Sequence, residues 1–427
     1  MLATGTLGKL VKILSNKKTG IVIVLLSIAA RIILQLYFFD ISGDRSFQLV
    51  AVKSFTEGHG FSILQVLPAN VDKQLYAPVI GWPPGYSIFL LPFYFVCGKN
   101  VIAAAIFFEV VSAAAFVLVT RKILQLLNVS LGLVNIYTLI SGFFIYDFAA
   151  ASGSDFCTLI FFLLGIYCAL LFLKKEKSPA FGMVVALMLF LSALTRYMYA
   201  PVILPVALYL LYAGYLQNDK RIIKGGFYCL AIVIFLLGCL FLYQYKLTGA
   251  TTHIIATKKG FFPANLLRTN AFLFTPFVDI QFLCSSLSIF FGWEYSKQVE
   301  LIWLIHLLPL VILFGYCVAF LIKKTKTKKN LTDHYLHLGI ISSLSIVTVL
   351  AFLSLRNAAV SDPFWTFVQE PRYYAFIVVF IHQLLFSYWY NAPANTKSMV
   401  GKILLIIPAT LYASNYYTDV ILCRRNW

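Results

Sequence analysis

Two carboxylates stand close together directly after the first long apolar segment of the chain. Asp40 and Asp44 lie in the sequence FFDISGDRSF at residues 38–47. A carboxylate at the end of a membrane-spanning helix can accept the proton of an incoming hydroxyl group. The alternative interpretation is that these are ordinary solvated acids in a loop at the end of the helix. The position therefore indicates a candidate general base and leaves the substrate open.

Another acid and several cations recur near the ends of other apolar segments. Asp155 opens one such segment and Arg196 follows another, whereas Arg31 lies inside the first. Arginine is suited to phosphate because its planar fork donates two charge-assisted hydrogen bonds. The alternatives are that Arg31 pairs with Glu109 or snorkels along its helix, and that Arg196 and Arg372 anchor helix ends. The other candidate phosphate ligands are Lys258, Lys259, Arg356 and Arg372.

The composition decides what kind of elements must position these residues. Hydrophobic residues make up 61% of the 427 residues and charged residues 12%, against roughly 45–50% and 25% in soluble domains. A soluble fold of this size has too little interior for that much apolar side chain. The composition excludes a soluble enzyme, a disordered chain and a disulfide scaffold, and it predicts an all-α polytopic membrane protein.

A membrane-spanning helix needs about 20 apolar residues, and the sequence predicts about eleven of them, in a range of 10–13. We expect the first to be retained as a signal anchor. The eight cysteines form no CxxC pair and are interpreted as small core residues. The predicted spans are 20–39, 101–120, 131–147, 156–173, 179–195, 200–216, 226–243, 301–322, 336–354, 373–389 and 402–418.

The distribution of charge predicts the orientation. More than half of the 34 basic residues fall in the segments that are cytoplasmic if the N-terminus is inside, whereas most of the 16 acidic residues fall on the other side. This is the positive-inside pattern of membrane proteins. It explains the net charge of +18 without a nucleic-acid partner.

Three external segments, 40–100, 244–300 and 355–372, are too long for simple turns. Residues 45–57 have apolar positions at helical spacing, which predicts a short helix along the membrane surface. Residues 85–97 predict a second, interfacial or re-entrant helix interrupted at Pro92. We expect residues 1–427 to form one transmembrane domain without a separate soluble domain.

Several of these motifs together resemble the GT-C superfamily of membrane glycosyltransferases. The likeness is to the bacterial branch related to protein O-mannosyltransferases and the lipid A aminoarabinose transferase. Its first external loop is similar in having an acid, a Gly-His-Gly turn and a Pro-Pro-Gly segment. The matching positions in that loop are Asp44, Gly58-His59-Gly60 and Pro83-Pro84-Gly85. Beyond the loop, Asp155 matches an acid at the outer start of the fourth span, Arg196 in LSALTRYMYAP is like the family's Leu-Thr-Arg pattern, and Arg372 in QEPRYYAF is like its Arg-Tyr pattern.

The resemblance implies transfer of a monosaccharide from a polyprenyl-phosphate, such as undecaprenyl phosphate, to a lipid or glycan acceptor. It places the site on the periplasmic side of a bacterial inner membrane, with Asp44 as the base of an inverting displacement and with Asp155 either orienting the acceptor or supporting Asp44. The family often has a second acid beside the first, where this chain has Arg45, so Asp40 is the candidate substitute. Candidate acceptor or sugar contacts are Asp40, His59, Trp82, Tyr86, Glu370 and Tyr373.

The resemblance requires no cofactor, although Asp44, Asp155 and His59 could together hold a divalent metal ion. Neither a P-loop nor a Rossmann fingerprint occurs, so a nucleotide-sugar site has no candidate motif. The competing interpretations are a lipid or glycan flippase or other transporter, and a polymerase or ligase that uses a diphosphate-linked glycan. A transporter predicts ionisable residues within the spans, and a ligase predicts a large late external loop.

Overall fold

The structure is a computed structural model that describes residues 14–37, 39, 41, 43–67, 70–79, 81–143, 153–174, 177–249, 260–262, 334–359, 376, 379–380, 382–384 and 386–387. The predicted spans 301–322 and 402–418 lie outside the described residues, as does most of 373–389. Most of the external segments 244–300 and 355–372 lies outside them too.

The described residues form helices and one β-hairpin. Six of the helices are long and apolar enough to cross a membrane, within the part of the chain that the structure describes. The protein is therefore a helical membrane protein, and the total of eleven spans stays a prediction. In chain order the elements are α1 (Lys17–Tyr37), α2 (Gly43–Thr56), β1 (Ser62–Leu67), β2 (Asn70–Pro78), α3 (Gly85–Val96), α4 (Val101–Leu126), α5 (Leu131–Gly142), α6 (Gly153–Lys174), α7 (Phe181–Thr195), a 3₁₀ turn (Tyr197–Tyr199), α8 (Ala200–Gln217), α9 (Lys220–Thr248) and α10 (His334–Ala358).

Local sequence explains where these helices begin and end. The side chain of Asn100 accepts hydrogen bonds from the amides of Ile102 and Ala103 at 3.1 and 3.0 Å, which caps α4. Asp219 caps α9 in the same way. Gly249 ends α9 in the left-handed conformation, with φ of 72°, which glycine adopts at little cost.

Helix α6 lies at the centre of the described bundle. Its large side chains Phe156, Phe162 and Phe172 are fully buried, and it packs against α4 and α7. Helix α7 approaches α9 closely because Gly182 lies against the backbone carbonyl of Gly225. Small residues at such crossings let helix backbones approach each other within a membrane.

One end of the bundle gathers basic residues. Lys174 donates to the carbonyl of Leu126 at 3.0 Å, and Arg221 donates to the carbonyls of Phe172 and Lys177 at 3.2 and 3.0 Å. These bonds join the ends of α4 and α6 to the start of α9. We call this the basic end, and the end that contains Asp44, Asp155 and Arg196 the acidic end.

The two short helices predicted in the first external segment are both present, but the predicted interruption at Pro92 is wrong. Helix α2 covers Gly43–Thr56 and helix α3 covers Gly85–Val96. The helix continues through Pro92, which was expected to interrupt it. Proline removes one backbone donor and crowds the preceding turn. In α3 the helix tolerates that loss.

The β-hairpin departs from the all-α prediction. Strands β1 and β2 are antiparallel, with Ser62 opposite Pro78 and Val66 opposite Gln74. The chain enters the hairpin through Gly58 and Gly60, whose φ angles of 89° and 68° favour glycine. The Gly-His-Gly and Pro-Pro-Gly motifs flank this segment, and neither motif predicts paired strands between them.

Candidate functional site

Arg196 lies between two carboxylates at the acidic end. Its Nη2 donates to Asp44 Oδ2 at 2.9 Å and to Asp155 Oδ2 at 2.7 Å, and its Nε lies 2.6 Å from Asp155 Oδ1. The guanidinium therefore donates from Nη2 to both carboxylates and lies within ion-pair distance of the second Asp155 oxygen through Nε. We call these three residues the acid–arginine cluster.

Exposure distinguishes the two acids. The side chains of Arg196 and Asp155 are each 5% exposed, whereas that of Asp44 is 23% exposed. Asp44 is thus the carboxylate that an incoming molecule can reach. A carboxylate offers about four lone-pair positions, so Asp44 can accept from Arg196 and from a substrate hydroxyl at the same time.

Backbone geometry explains how these side chains meet. Asp44 lies in the first turn of α2 and Asp155 in the first turn of α6, where the helix dipole stabilises a negative charge. Arg196 follows α7 in an extended conformation, with φ of −149° and ψ of 121°. That break ends α7 and turns the arginine towards both helix starts.

Close packing fixes the surroundings of Arg196. Gly85 at the start of α3 lies directly against the carbonyl of Leu194, so that any larger side chain would collide with it. The hydroxyls of Thr158 and Thr195 lie 2.6 Å apart and join α6 to α7. The Pro-Pro-Gly segment therefore packs directly beside the acid–arginine cluster.

A second polar network lies next to the acid–arginine cluster. Glu109 Oε1 accepts from Arg45 Nη2 at 2.9 Å and Glu109 Oε2 accepts from Gln35 Nε2 at 2.7 Å. Gln35 Oε1 accepts in turn from Arg31 Nη2 at 3.1 Å. All four side chains are essentially buried. We call this chain of residues the inner network.

Arg31 and Tyr86 show how tightly the inner network is packed. The Arg31 guanidinium lies 5.3 and 4.8 Å from the ring centroids of Phe116 and Phe156, a distance at which cation–π attraction operates. Gly153 has no room for a side chain because the Tyr86 hydroxyl and the Glu109 carboxylate occupy it. Burial raises the pKa of the Tyr86 hydroxyl well above its ordinary value, so it stays protonated.

The two groups together balance their charge. The inner network has two arginines and one carboxylate, and the acid–arginine cluster has one arginine and two carboxylates. The six side chains therefore carry three positive and three negative charges. Burial of charge is tolerated only when it is compensated and hydrogen-bonded, which explains why the two groups lie side by side.

Two aromatic contact candidates from the first external segment are placed differently. Trp82 stacks on Phe47 at 5.4 Å, one turn along α2 from Asp44, and so lies near the cluster. His59 is exposed and stacks on Tyr76 at 3.6 Å. It follows the far end of α2, roughly 18 Å along the helix axis from Asp44 at 1.5 Å per residue.

The expected metal ligands are therefore only partly brought together. Asp44 and Asp155 meet at Arg196, and His59 lies at the other end of α2. Among the described residues, no group of three or more histidine, cysteine, aspartate or glutamate side chains could hold a metal ion.

The candidate phosphate ligands are spread over the chain. Arg196 belongs to the cluster and Arg31 to the inner network. Arg356 is half-buried near the end of α10. Because His337 at the start of α10 bonds to Tyr209 of α8 at 2.6 Å, α10 runs back towards the acidic end. The candidates Asp40, Lys258, Lys259, Glu370, Arg372 and Tyr373 lie outside the described residues.

Sequence reasoning missed how Gln35, Arg45 and Glu109 act together. Arg31 was expected to bind phosphate, to pair with Glu109 or to snorkel along its helix, and the structure places Gln35 between Arg31 and Glu109. The ion pair of Glu109 is with Arg45, the residue that departs from the GT-C pattern. Gln35 lies four residues after Arg31, on the same helix face, which is the signal that could have identified it.

No family model matches the chain, and no curated protein and no solved structure matches it either.

Proposed function

We propose that the protein is a membrane glycosyltransferase that moves a monosaccharide from a polyprenyl-phosphate donor to a lipid or glycan acceptor. The observation that supports this most is the acid–arginine cluster, in which a partly exposed carboxylate at a helix start is held by a buried arginine. The three residues of the cluster are also among those through which the sequence resembles GT-C enzymes.

The chemical step follows from these side chains. The acceptor hydroxyl oxygen attacks the anomeric carbon of the sugar, and its proton passes to Asp44 as general base. The bond between the anomeric carbon and the phosphate oxygen breaks, and its electron pair leaves with the polyprenyl phosphate. A single displacement inverts the configuration at the anomeric carbon, by the stereochemical logic of inverting glycosidases.

Asp155 and Arg196 support the step in different ways. Both oxygens of Asp155 lie against Arg196, at 2.7 Å from Nη2 and 2.6 Å from Nε, which restrains the orientation of the guanidinium. Arg196 in turn orients Asp44 through Nη2. As the phosphate leaves it gains negative charge, and a fixed guanidinium beside the reacting groups stabilises that charge without reorganisation.

The proposed location is the bacterial inner membrane, with the N-terminus in the cytoplasm and the site in the periplasmic half. The support is the position of the basic end: Lys174 and Arg221 lie there, and the acid–arginine cluster, whose charges balance with those of the inner network, lies at the opposite end. Basic ends of membrane helices are retained in the cytoplasm.

The test begins with the glycan and lipid profile of cells that lack the protein, because the missing sugar identifies donor and acceptor together. Purified protein is then given a short-chain prenyl-phosphate of that sugar and, in parallel, the prenyl-diphosphate. We expect transfer from the monophosphate alone. Asp44→Asn should lower the transfer rate about 10²- to 10⁴-fold, the usual contribution of a general base.

Glu57→Gln is the matched control for Asp44→Asn. Glu57 follows the same helix, is exposed, and makes only a long ion pair of 3.7 Å with Lys53. Its transfer rate should equal that of the native protein. Full activity in a well-expressed Asp44→Asn protein would refute the assignment of the base.

A transporter is the second candidate, because the inner network places Arg31 and Glu109 inside membrane-spanning helices. Ionisable residues at such depth often mark a transport pathway. Proteoliposomes that move a prenyl-phosphate sugar between leaflets without transferring it would favour this function. Transfer from the prenyl-diphosphate alone would instead favour a polymerase or ligase.

A further inference from the structure

Asp44 and Arg45 are consecutive residues of α2 whose side chains are held by different parts of the bundle. Successive residues of an α-helix point about 100° apart. Asp44 meets Arg196 after α7, and Arg45 meets Glu109 of α4. The first turn of α2 is thus fixed on two sides, one in the acid–arginine cluster and one in the inner network.

Glu109 holds the first turn of α2 on the side of the inner network. Its two oxygens are bonded to Arg45 and to Gln35 of α1, and its carboxylate fills the space above Gly153 of α6. Three membrane-spanning helices, α1, α4 and α6, therefore meet at this one carboxylate. A side chain confined in this way cannot move without moving the bundle.

Helix α2 depends on its contacts with the bundle, which also include the buried side chains of Leu49 and Val52. It has only 14 residues, and an isolated helix of that length is marginal in water. A buried ion pair seldom stabilises a fold more than apolar side chains of the same volume would. The burial of Arg45 and Glu109, each 1% exposed, is therefore better explained by the position that it imposes.

We propose that Glu109 is a positioning residue for Asp44 and acts on it through Arg45. The proposal rests on the function proposed above, in which Asp44 is the base. Glu109 itself touches neither donor nor acceptor. It sets the distance and angle at which the first turn of α2 presents the Asp44 carboxylate to the substrate hydroxyl.

The first measurement separates position from activity. In a protein whose eight native cysteines have been replaced, Phe47→Cys in α2 and Trp82→Cys before α3 are joined by a short bifunctional thiol reagent. The native rings stack with centroids 5.4 Å apart and Phe47 is exposed, so this crosslink should form in high yield while the acid–arginine cluster stays intact. Adding Glu109→Gln should lower the yield several-fold, and adding the control Glu57→Gln should leave it unchanged.

The second measurement applies if the double-cysteine protein does not fold. Glu109→Gln and Arg45→Lys are then made singly and assayed for transfer. A displacement of about 1 Å costs roughly 10²-fold in rate, so kcat should fall by that factor while KM for the donor stays the same. Arg45→Lys keeps the charge and should retain more of the rate than Arg45→Gln.

An unchanged crosslink yield with Glu109→Gln, or a rate loss that merely follows the amount of folded protein, would overturn the positioning role. Neither result bears on whether Asp44 is the base. Conversely, full activity of Asp44→Asn would remove the proposed function and leave the crosslinking result valid.

Discussion

Arg196 is the residue whose role changes most between the sequence and the structure. From the sequence it is a candidate phosphate ligand or a helix-end anchor. In the structure its guanidinium is already engaged by Asp44 and Asp155. Its first effect is therefore to hold two like charges close together, and any contact with phosphate must be made from that position.

Arg196→Ala should consequently impair folding as well as donor binding. It removes the common partner of two carboxylates, one of them almost fully buried, and the loss of one member of a buried pair costs about 3–5 kcal/mol. Arg196→Lys keeps the charge and loses the fork, so its loss of stability should be smaller. Thermal unfolding in detergent measures both, and equal unfolding temperatures in Arg196→Ala and native protein would contradict this role.

Tyr86 offers a test of a different kind. Within the described part of the chain its buried hydroxyl has no hydrogen-bond partner, and an unsatisfied buried group costs about 1–3 kcal/mol. Tyr86→Phe removes only that oxygen and should leave the unfolding temperature equal or higher. If the hydroxyl contacts acceptor or sugar as predicted, transfer should fall in the same variant. Unchanged transfer would assign Tyr86 to packing against Phe108.

At the scale of elements, the site depends on helix starts that are brought together by close backbone contacts. Gly85 brings α3 against the end of α7, and Gly153 brings α6 against Tyr86 and Glu109. A close backbone contact of the same kind joins α7 and α9 away from the site, at Gly182. Glycine at these positions is required by space, because a single methyl group would separate the elements.

Gly182→Ala should therefore destabilise the bundle by about 1–3 kcal/mol, the usual cost of overpacking. The matched control is Gly238→Ala in α9, because no atom lies within 4 Å of the added methyl group there. That control should be neutral or stabilising by up to about 1 kcal/mol, since alanine favours helix. The two free energies of unfolding are compared in detergent, and equal values would contradict the close approach of α7 and α9.

At the scale of the whole molecule, the two ends of the bundle differ, because the charges of the acid–arginine cluster and the inner network balance at one end and basic residues gather at the other. The basic end joins α4, α6 and α9 through Lys174 and Arg221, and the acidic end contains Asp44 and Asp155. An external glycosyltransferase and a cytoplasmic one differ in the side of the membrane on which they bind donor and acceptor. For the proposed function, the orientation of the bundle therefore decides on which side both substrates must be.

The orientation is tested with single cysteines at exposed positions of a cysteine-free protein. Glu57→Cys lies at the end of α2, and Ser178→Cys lies between α6 and α7 at the basic end. In intact cells, a membrane-impermeant maleimide added outside should label the first and spare the second, because basic ends stay in the cytoplasm. The reverse pattern would place the site in the cytoplasm and exclude the periplasmic reaction.

Much of the fold could be predicted because apolar length is visible in sequence. The predicted spans 20–39, 101–120, 156–173, 200–216, 226–243 and 336–354 each correspond to a long apolar helix. The short helices α2 and α3 were also predicted, from helical spacing and from an apolar run too short to span. The hairpin β1–β2 was not, because strand pairing over a few residues depends on contacts outside the strands.

The sequence by itself determined that this chain is a helical membrane protein, since composition and apolar length are summed along the chain and need no partner. It also indicated Asp44, Asp155 and Arg196 as residues that could do chemistry. Only the tertiary structure decided that these three residues contact each other. It also decided that Arg45 binds Glu109, which lies 64 residues further along the chain. Ion pairs between distant segments depend on how helices pack, and no local pattern of residues specifies that.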